Sequence, residues 1–334
     1  MVKIYDAIII GGGPAGCSAA LHLAYHKRSV LVLDRGTSPM HFHTNSILNF
    51  PGSVYHEGRS LLRSIQGEAR AAGAEFIAAD VIEISGRYPD FKIKTSPSYR
   101  TNDESEYHAK LLLIATGTSR KHPRVNGQWR GWLPVANVGN GAFYCPDCEA
   151  PLCKDKEVLI VNTGSVGSAL HVANSLSRFT DKIQILMTED AYVPIENQDL
   201  SKLDSSPFPW TKGKIKSISF PRPGVVQSVT LADGRKLKAN VFFVAFVDVA
   251  RSELAQQIGV EVDAKGNILT DHRGKTKIEG IWSAGDVRPI TQQVATAVGT
   301  GNYAAVMMNQ FLGNAHEQEK EFDHPDHRRA LHIE

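Results

Sequence analysis

Ile4 to Ile10 is an apolar run interrupted only by Tyr5 and Asp6. Apolar residues on both faces predict a parallel strand covered on both sides. The glycine-rich stretch Gly11-Gly12-Gly13-Pro14-Ala15-Gly16 comes next. A helical pattern follows from about Ala15 to Ala24, and then a second apolar run from Ser29 to Leu33. Strand, glycine turn, helix and strand make a βαβ unit. A related alternation returns in the middle of the chain. There Val158 to Val161 predicts a strand, Asn162-Thr163-Gly164-Ser165-Val166-Gly167 its turn, His171 to Phe179 a helix, and Ile183 to Leu186 the next strand. Asp233-Gly234 predicts a hairpin, and no other internal repeat is present. The pattern predicts an α/β protein built on two Rossmann-like units.

Composition narrows the class. A chain of 334 residues is long enough for about two domains. Hydrophobic content of 42% and charged content of 22% describe an ordinary globular protein. The formal net charge of +2 gives no reason to expect nucleic acid or an anionic membrane as a partner. No apolar run is long enough to span a bilayer, and no signal peptide is expected. The 4 cysteines are Cys17, Cys145, Cys148 and Cys153. They are too sparse for a secreted disulfide scaffold and suit a reducing, cytoplasmic setting.

The first glycine turn carries specific chemistry. Gly11 permits the tight turn, Gly13 lets the backbone approach a pyrophosphate, and Gly16 lets the helix pack close to the strand. Pro14 and Ala15 open a helix whose N-terminus faces the phosphates. Asp34, about twenty residues on, can accept both ribose hydroxyls of an adenosine, with Arg35 beside it. Cys17 reads as a small core residue.

Phe143-Tyr144-Cys145-Pro146-Asp147-Cys148-Glu149 is the second chemical feature. Two thiols three apart can close a small ring and exchange with an external disulfide. The same spacing also serves as half of a zinc site or as a structural clip. A zinc site on Cys145, Cys148 and Cys153 lacks a fourth ligand at normal spacing, although His122 or His171 could be recruited. No metal is expected, and Cys153 reads as a passive thiol.

Four further segments stand in order along the chain: Asn49-Phe50-Pro51-Gly52, Ile114-Ala115-Thr116-Gly117-Thr118, Gly280 to Asp286, and Gln292-Gln293-Val294-Ala295 leading through Gly299-Thr300-Gly301. With the cysteine pair, they make the chain resemble the low-molecular-weight thioredoxin reductases over roughly residues 3 to 313. The resemblance implies two three-layer ββα Rossmann-like domains, the second inserted into the first. The FAD-binding domain would comprise residues 1–119 and 250–315. An NAD(P)-binding-like domain carrying the cysteine pair would occupy 120–249, followed by a tail at 316–334. It implies FAD, held by Gly11, Gly13, Pro14, Ala15, Gly16, Asp34, Arg35, Asn49, Thr116, Gly117, Gly285, Asp286, Gln293 and Val294. Asp286 would accept from a ribityl hydroxyl. Gln293 and Val294 would turn backbone N–H groups toward the flavin edge, and Asn49 would lie beside the ring system. Cys148 would face the flavin, and Cys145 the substrate. Where the family carries Asp after the second cysteine, this chain has Glu149, the expected acid–base group. Thioredoxin or a similar disulfide protein is the implied partner, and a homodimer the implied assembly.

Two departures bear on the electron donor. Asn162 stands where the second unit should have its first glycine; Asn tolerates left-handed backbone angles, so the turn is expected to survive. Met187 stands where the first unit has Asp34, followed by Glu189 and Asp190, which would repel a 2′-phosphate. The chain thus resembles a branch independent of pyridine nucleotide, of the deeply rooted cyanobacterial or ferredoxin-linked kind. It is expected to pass electrons through FAD and the cysteine pair to a protein disulfide without NADPH, with ferredoxin as a candidate donor. The alternatives are a dithiol oxidase using oxygen, an NAD(P)H-dependent thioredoxin reductase, or a flavin-bound redox sensor. Arg328 to Ile333 in the histidine-rich tail could fold over a flavin.

Overall fold

The structure is a computed structural model that describes residues 2–43, 47–52, 57–97, 102–136, 141–221 and 225–322, with the side chains of 314–322 left aside. The expected role of Arg328 to Ile333 lies outside the described residues. The chain divides into two compact units. Unit 1 comprises Met1–His41, Leu61–Thr118 and Ala250–Glu334; unit 2 comprises Phe42–Ser60 and Ser119–Val249. The segment Phe42–Ser60, which carries Asn49, therefore groups with the cysteine pair rather than with the first glycine turn.

In chain order, unit 1 opens with β1 (Ile4–Ile10), α1 (Pro14–Tyr25) and β2 (Val30–Asp34). Then come α2 (Gly58–Ala71), β3 (Glu75–Ala78), β4 (Asp80–Arg87), β5 (Asp90–Ser96) and β6 (Glu106–Ile114). The chain passes between units through β7 (Thr118–Arg120). Unit 2 continues with α3 (Leu133–Ala136), β8 (Ala142–Phe143), α4 (Pro146–Glu149), β9 (Val158–Asn162), α5 (Val166–Leu176), β10 (Ile183–Thr188) and α6 (Ser201–Asp204). It ends with β11 (Trp210–Gly213), β12 (Ile215–Ser219), β13 (Ser228–Leu231), β14 (Lys236–Lys238) and β15 (Val241–Ala245). The return is through β16 (Asp248–Ala250), which pairs with β7. Unit 1 closes with α7 (Glu253–Gln257), β17 (Ile281–Ser283) and α8 (Val294–Phe322).

Unit 1 is a sheet in the order β3-β2-β1-β6-β5-β4, with β17 also on β6. β1, β2, β3, β6 and β17 run parallel, and β4 and β5 are antiparallel additions. Alternation places Ala7, Ile9, Leu111 and Leu113 on one face, under α1 and α8. Ile8, Ile10, Leu112 and Ile114 lie on the other, packed with Ile268 and Val287. Both faces of β1 are buried, as its unbroken apolar run requires; each such side chain contributes roughly 1.5–3 kcal/mol. Unit 2 repeats the scheme with a parallel sheet, β11-β10-β9-β15-β8. α5 covers one face through Ala169, Val172 and Leu176. The antiparallel sheet β12-β13-β14 packs on the other through Val229 and Leu231. The β13–β14 turn holds Gly234 at φ +89°, the backbone an Asp-Gly hairpin needs.

Three local expectations change. α5 begins at Val166, inside the stretch expected as the turn, because Ser165 is its N-cap and accepts from the Ser168 N–H. α8 does not stop near residue 313 but runs to Phe322. Asn162 keeps extended strand backbone. Among the described non-glycine residues only Lys27, Asn126 and Asp155 have left-handed φ, so tolerance of that region is not why Asn fits. Among the described residues no helix is long and apolar enough to cross a membrane.

Candidate active site

The glycine turn of unit 1 is shaped by close approach. Gly11 has φ +109°, and a Cβ at Gly12 would lie 2.8 Å from an Asp34 carboxylate oxygen. By contrast, a Cβ at Gly13 would find only Ser38 Oγ, at 3.9 Å. Gly13 is the N-cap of α1 and provides no side-chain cap. The Gln66 amide secures the turn by donating to Gly12 O at 2.9 Å. Gly285 and Gly301 complete the wall. A Cβ on Gly285 (φ +74°) would sit 2.8 Å from Ala15 Cβ, and one on Gly301 would strike the Ala15 backbone. Gly285 N–H donates to Thr300 Oγ1 at 3.1 Å, which ties Gly285 and Asp286 to the first turns of α8. Gln293 directly precedes α8, accepting from Ala297 N–H at 2.9 Å. Thr116 Oγ1 donates to Arg251 O at 2.5 Å, and Arg251 N–H donates to Gly117 O at 2.9 Å. Arg35 pairs with Asp80 at 3.5 Å. An uncapped helix N-terminus with an acid beside the turn suits a dinucleotide pyrophosphate and its ribose. Thirteen of the fourteen expected cofactor residues fall in unit 1, and Asn49 falls in unit 2.

In unit 2 the motif Cys145–Cys148 straddles the start of α4, and the two sulfurs are joined as a disulfide with Cα atoms 5.2 Å apart. Pro146 takes the first helical position, where a missing N–H costs nothing. Asp147 points to solvent. Glu149 does not: its side chain is 13% exposed. Its Oε2 accepts from Tyr144 N–H at 2.8 Å and Cys145 N–H at 3.1 Å, and its Oε1 lies 3.6 Å from His43 Nε2. Burial pushes this carboxyl up, but the contacts with His43 and the two N–H groups outweigh it, and Arg120 adds to them. The net result is a carboxyl held below its ordinary range.

Glu149→Gln is therefore expected to cost about 1–3 kcal/mol at pH 7, by weakening a buried acceptor of two N–H groups. A depressed folded pKa contributes stability above the unfolded value and loses it as pH falls through the folded one. The gap between wild type and variant should then narrow below about pH 4. Denaturant midpoints across pH check this.

The Tyr144 hydroxyl is buried. It accepts from Trp132 Nε1 at 3.0 Å and lies 2.9 Å from His122 Nδ1. Trp N–H can only donate, so the hydroxyl oxygen accepts there, while its role toward His122 follows the imidazole tautomer. Burial, aided by Arg120, pushes His122 down to about 4. Trp132 is thus a core residue, whereas Trp129 is 46% exposed. Trp210 is half-buried and bonds Asp204 at 3.0 Å. Cys17 and Cys153 are buried, and burial pushes both thiols up to about 12. Among the described residues no group of three or more His, Cys, Asp or Glu is placed to hold a metal ion.

The second glycine-type turn is filled by its own chain. Asn162 pairs in register with Met187, and Ile10 with Leu33, so Met187 occupies the place of Asp34. Both Asn162 and Met187 are fully buried. Asn162 Nδ2 donates to Gly164 O at 3.0 Å and to Met187 Sδ at 3.2 Å. Its Oδ1 accepts from Gly164 N–H and Ser168 Oγ, both at 3.3 Å. Val166 N–H goes to Gln198 Oε1 at 2.6 Å, and Ser168 N–H to Ser165 Oγ at 3.1 Å. Three N–H donors of this turn, those of Gly164, Val166 and Ser168, thus already have protein acceptors. His43, Gln66, Gln198 and Arg251 belong to no motif. Each acts through partners remote in sequence, and only the isolated polar residue within an otherwise apolar or loop context hints at them.

The pyridine nucleotide-disulphide oxidoreductase family matches residues 5–301. A thioredoxin reductase of Bacillus subtilis (strain 168) is 30% identical over 328 residues, covering 94% of this chain and 97% of its own. One from Peptoclostridium acidaminophilum is 29% identical over 330 residues, covering 93% and 98%. Among solved structures, thioredoxin reductase from Giardia duodenalis superposes with a TM-score of 0.75 at 26% identity, covering 93% of this chain and 99% of that one.

Proposed function

The chain belongs to the pyridine nucleotide-disulphide oxidoreductase family, and from that premise we propose that it reduces a protein disulfide such as that of thioredoxin without using NADPH. It is a flavin-dependent disulfide oxidoreductase of thioredoxin reductase type with FAD as cofactor. Electrons pass by way of FAD and the Cys145–Cys148 pair, supplied by a donor such as reduced ferredoxin. The working form is a cytoplasmic homodimer.

When bound, FAD supplies a two-electron carrier. Gly11, Gly13, Pro14, Ala15 and Gly16 hold its pyrophosphate, with Asp34 and Arg35 at the adenosine end. Thr116, Gly117, Gly285, Asp286, Gln293 and Val294 hold the remainder, and Asn49 faces the ring system. Cys148 takes the electron pair, Cys145 exchanges with the partner disulfide, and Glu149 is the carboxylate of their acid–base chemistry.

The self-filled turn around Asn162 carries the NADPH-independent reading. Gly164, Val166 and Ser168 N–H groups are bonded to Asn162, Gln198 and Ser165. Entry of a pyrophosphate would have to break these bonds, each worth about 1 kcal/mol net. Met187 then offers no acceptor for ribose hydroxyls. An anaerobic reduction panel tests the reading. NADPH and NADH at micromolar concentration should leave the flavin oxidised, while reduced ferredoxin bleaches it and oxidised thioredoxin restores the colour. Fast bleaching by NADPH would return the chain to the nucleotide-dependent reductases. Air re-oxidation coupled to dithiol loss would make it an oxidase instead.

A further inference from the structure

We propose that His43 is the proton carrier of the cysteine site: it takes the proton of the Cys145 thiol and delivers it to the thiolate expelled from a substrate disulfide, while Glu149 fixes its ring. The inference rests on the reading of Cys145 and Cys148 as the exchange pair and adds a residue to it. The geometry begins with Glu149. Oε2 is committed to the Tyr144 and Cys145 N–H groups, and Oε1 faces His43 Nε2 at 3.6 Å. A carboxyl held ionised in this way has no proton to give near neutral pH. The imidazole placed against it can take a proton at one ring nitrogen and give it up again.

The ring is also held in place. His43 O accepts from Arg59 N–H at 3.1 Å. Gly58 makes room for it, since a Cβ there would stand 2.8 Å from His43 Cβ. The charged group acting on Glu149 beside His43 is Arg120.

The exchange balances as follows. The Cys145 proton moves to His43, and the thiolate attacks one sulfur of the substrate disulfide. That S–S bond breaks, and the departing thiolate takes the proton from His43. The Cys148 thiolate then attacks Cys145, re-forming the Cys145–Cys148 bond, and the second substrate thiolate leaves with the proton Cys148 gave up to solvent. Two electrons move from the pair to the substrate, which becomes two thiols.

Leaving-group dependence tests this. An acidic thiol leaves without help, and a basic one needs a proton. Anaerobic holoenzyme, reduced with dithionite and freed of excess, is mixed with an aromatic nitrobenzoate disulfide or with hydroxyethyl disulfide. His43→Gln should slow the alkyl disulfide by about 100-fold or more and the aromatic one by less than about threefold. His43→Ala should regain alkyl turnover when imidazole is added, and the flavin spectrum reports that each variant folds. Equal slowing of both substrates, or no slowing, would overturn the proposal. A wild type inert to both disulfides would instead sink the exchange-pair reading and the proposal with it.

Discussion

Replacing Cys145 by serine will abolish disulfide turnover, by at least about a thousandfold, and leave the protein yellow. A serine hydroxyl is neither ionised at neutral pH nor able to form a mixed disulfide. Cys145 belongs to unit 2 and the glycine cradle to unit 1, and the substitution leaves every cradle residue unchanged, so flavin retention is expected. Its backbone N–H, which donates to Glu149 at 3.1 Å, survives the change, and the turn should keep its shape. The measurement is turnover with a protein disulfide, paired with the flavin absorbance of the same sample. Full activity in the variant would remove the pair from the mechanism.

Gly13→Asp is expected to empty the protein of FAD without unfolding it. The position has room, with Ser38 Oγ at 3.9 Å from the added Cβ as its nearest neighbour, and its backbone needs no left-handed angle. What changes is charge. A carboxylate at the α1 N-cap would occupy the anion site and face the pyrophosphate. Like charges about 4 Å apart at an effective dielectric near 20 repel by about 4 kcal/mol, which weakens binding by roughly a hundredfold or more. Gly13→Ala adds the volume without the charge and should lose far less. Purification of both variants, with flavin per chain read from absorbance, separates the two effects. A yellow Gly13→Asp protein would place the pyrophosphate elsewhere.

The strands that carry the cradle could be read from the chain because both faces of β1 are buried, and burial on both faces leaves an unbroken apolar run. Gly11 and Gly16 could be read for a related reason: a Cβ at either would strike backbone, that of Ala115 and of Gly11 respectively. The cysteine spacing likewise fixes a local ring. Asn162 was a different case. Its position marked a departure, but the reason it fits is a set of bonds to Gly164, Met187 and Ser168, not a left-handed backbone. Gln198 caps α5 from 32 positions away, and His43 meets Glu149 across more than a hundred residues. Hydrophobic periodicity carries no information about such pairings, because one polar side chain in a loop looks like any other. The length of α8 escaped for a similar reason: past residue 313 the sequence becomes polar, and a polar helix has no apolar stripe to announce it.

The occupied turn in unit 2 also bears on reversibility. Asn162→Gly would uncover Gly164 N–H, yet Gln198 would still cap Val166, Ser165 would still cap Ser168, and Met187 would still lack an oxygen. Each substitution taken alone gives up buried contacts. The turn is therefore freed only by several substitutions made together, since any one of them leaves the other bonds in place.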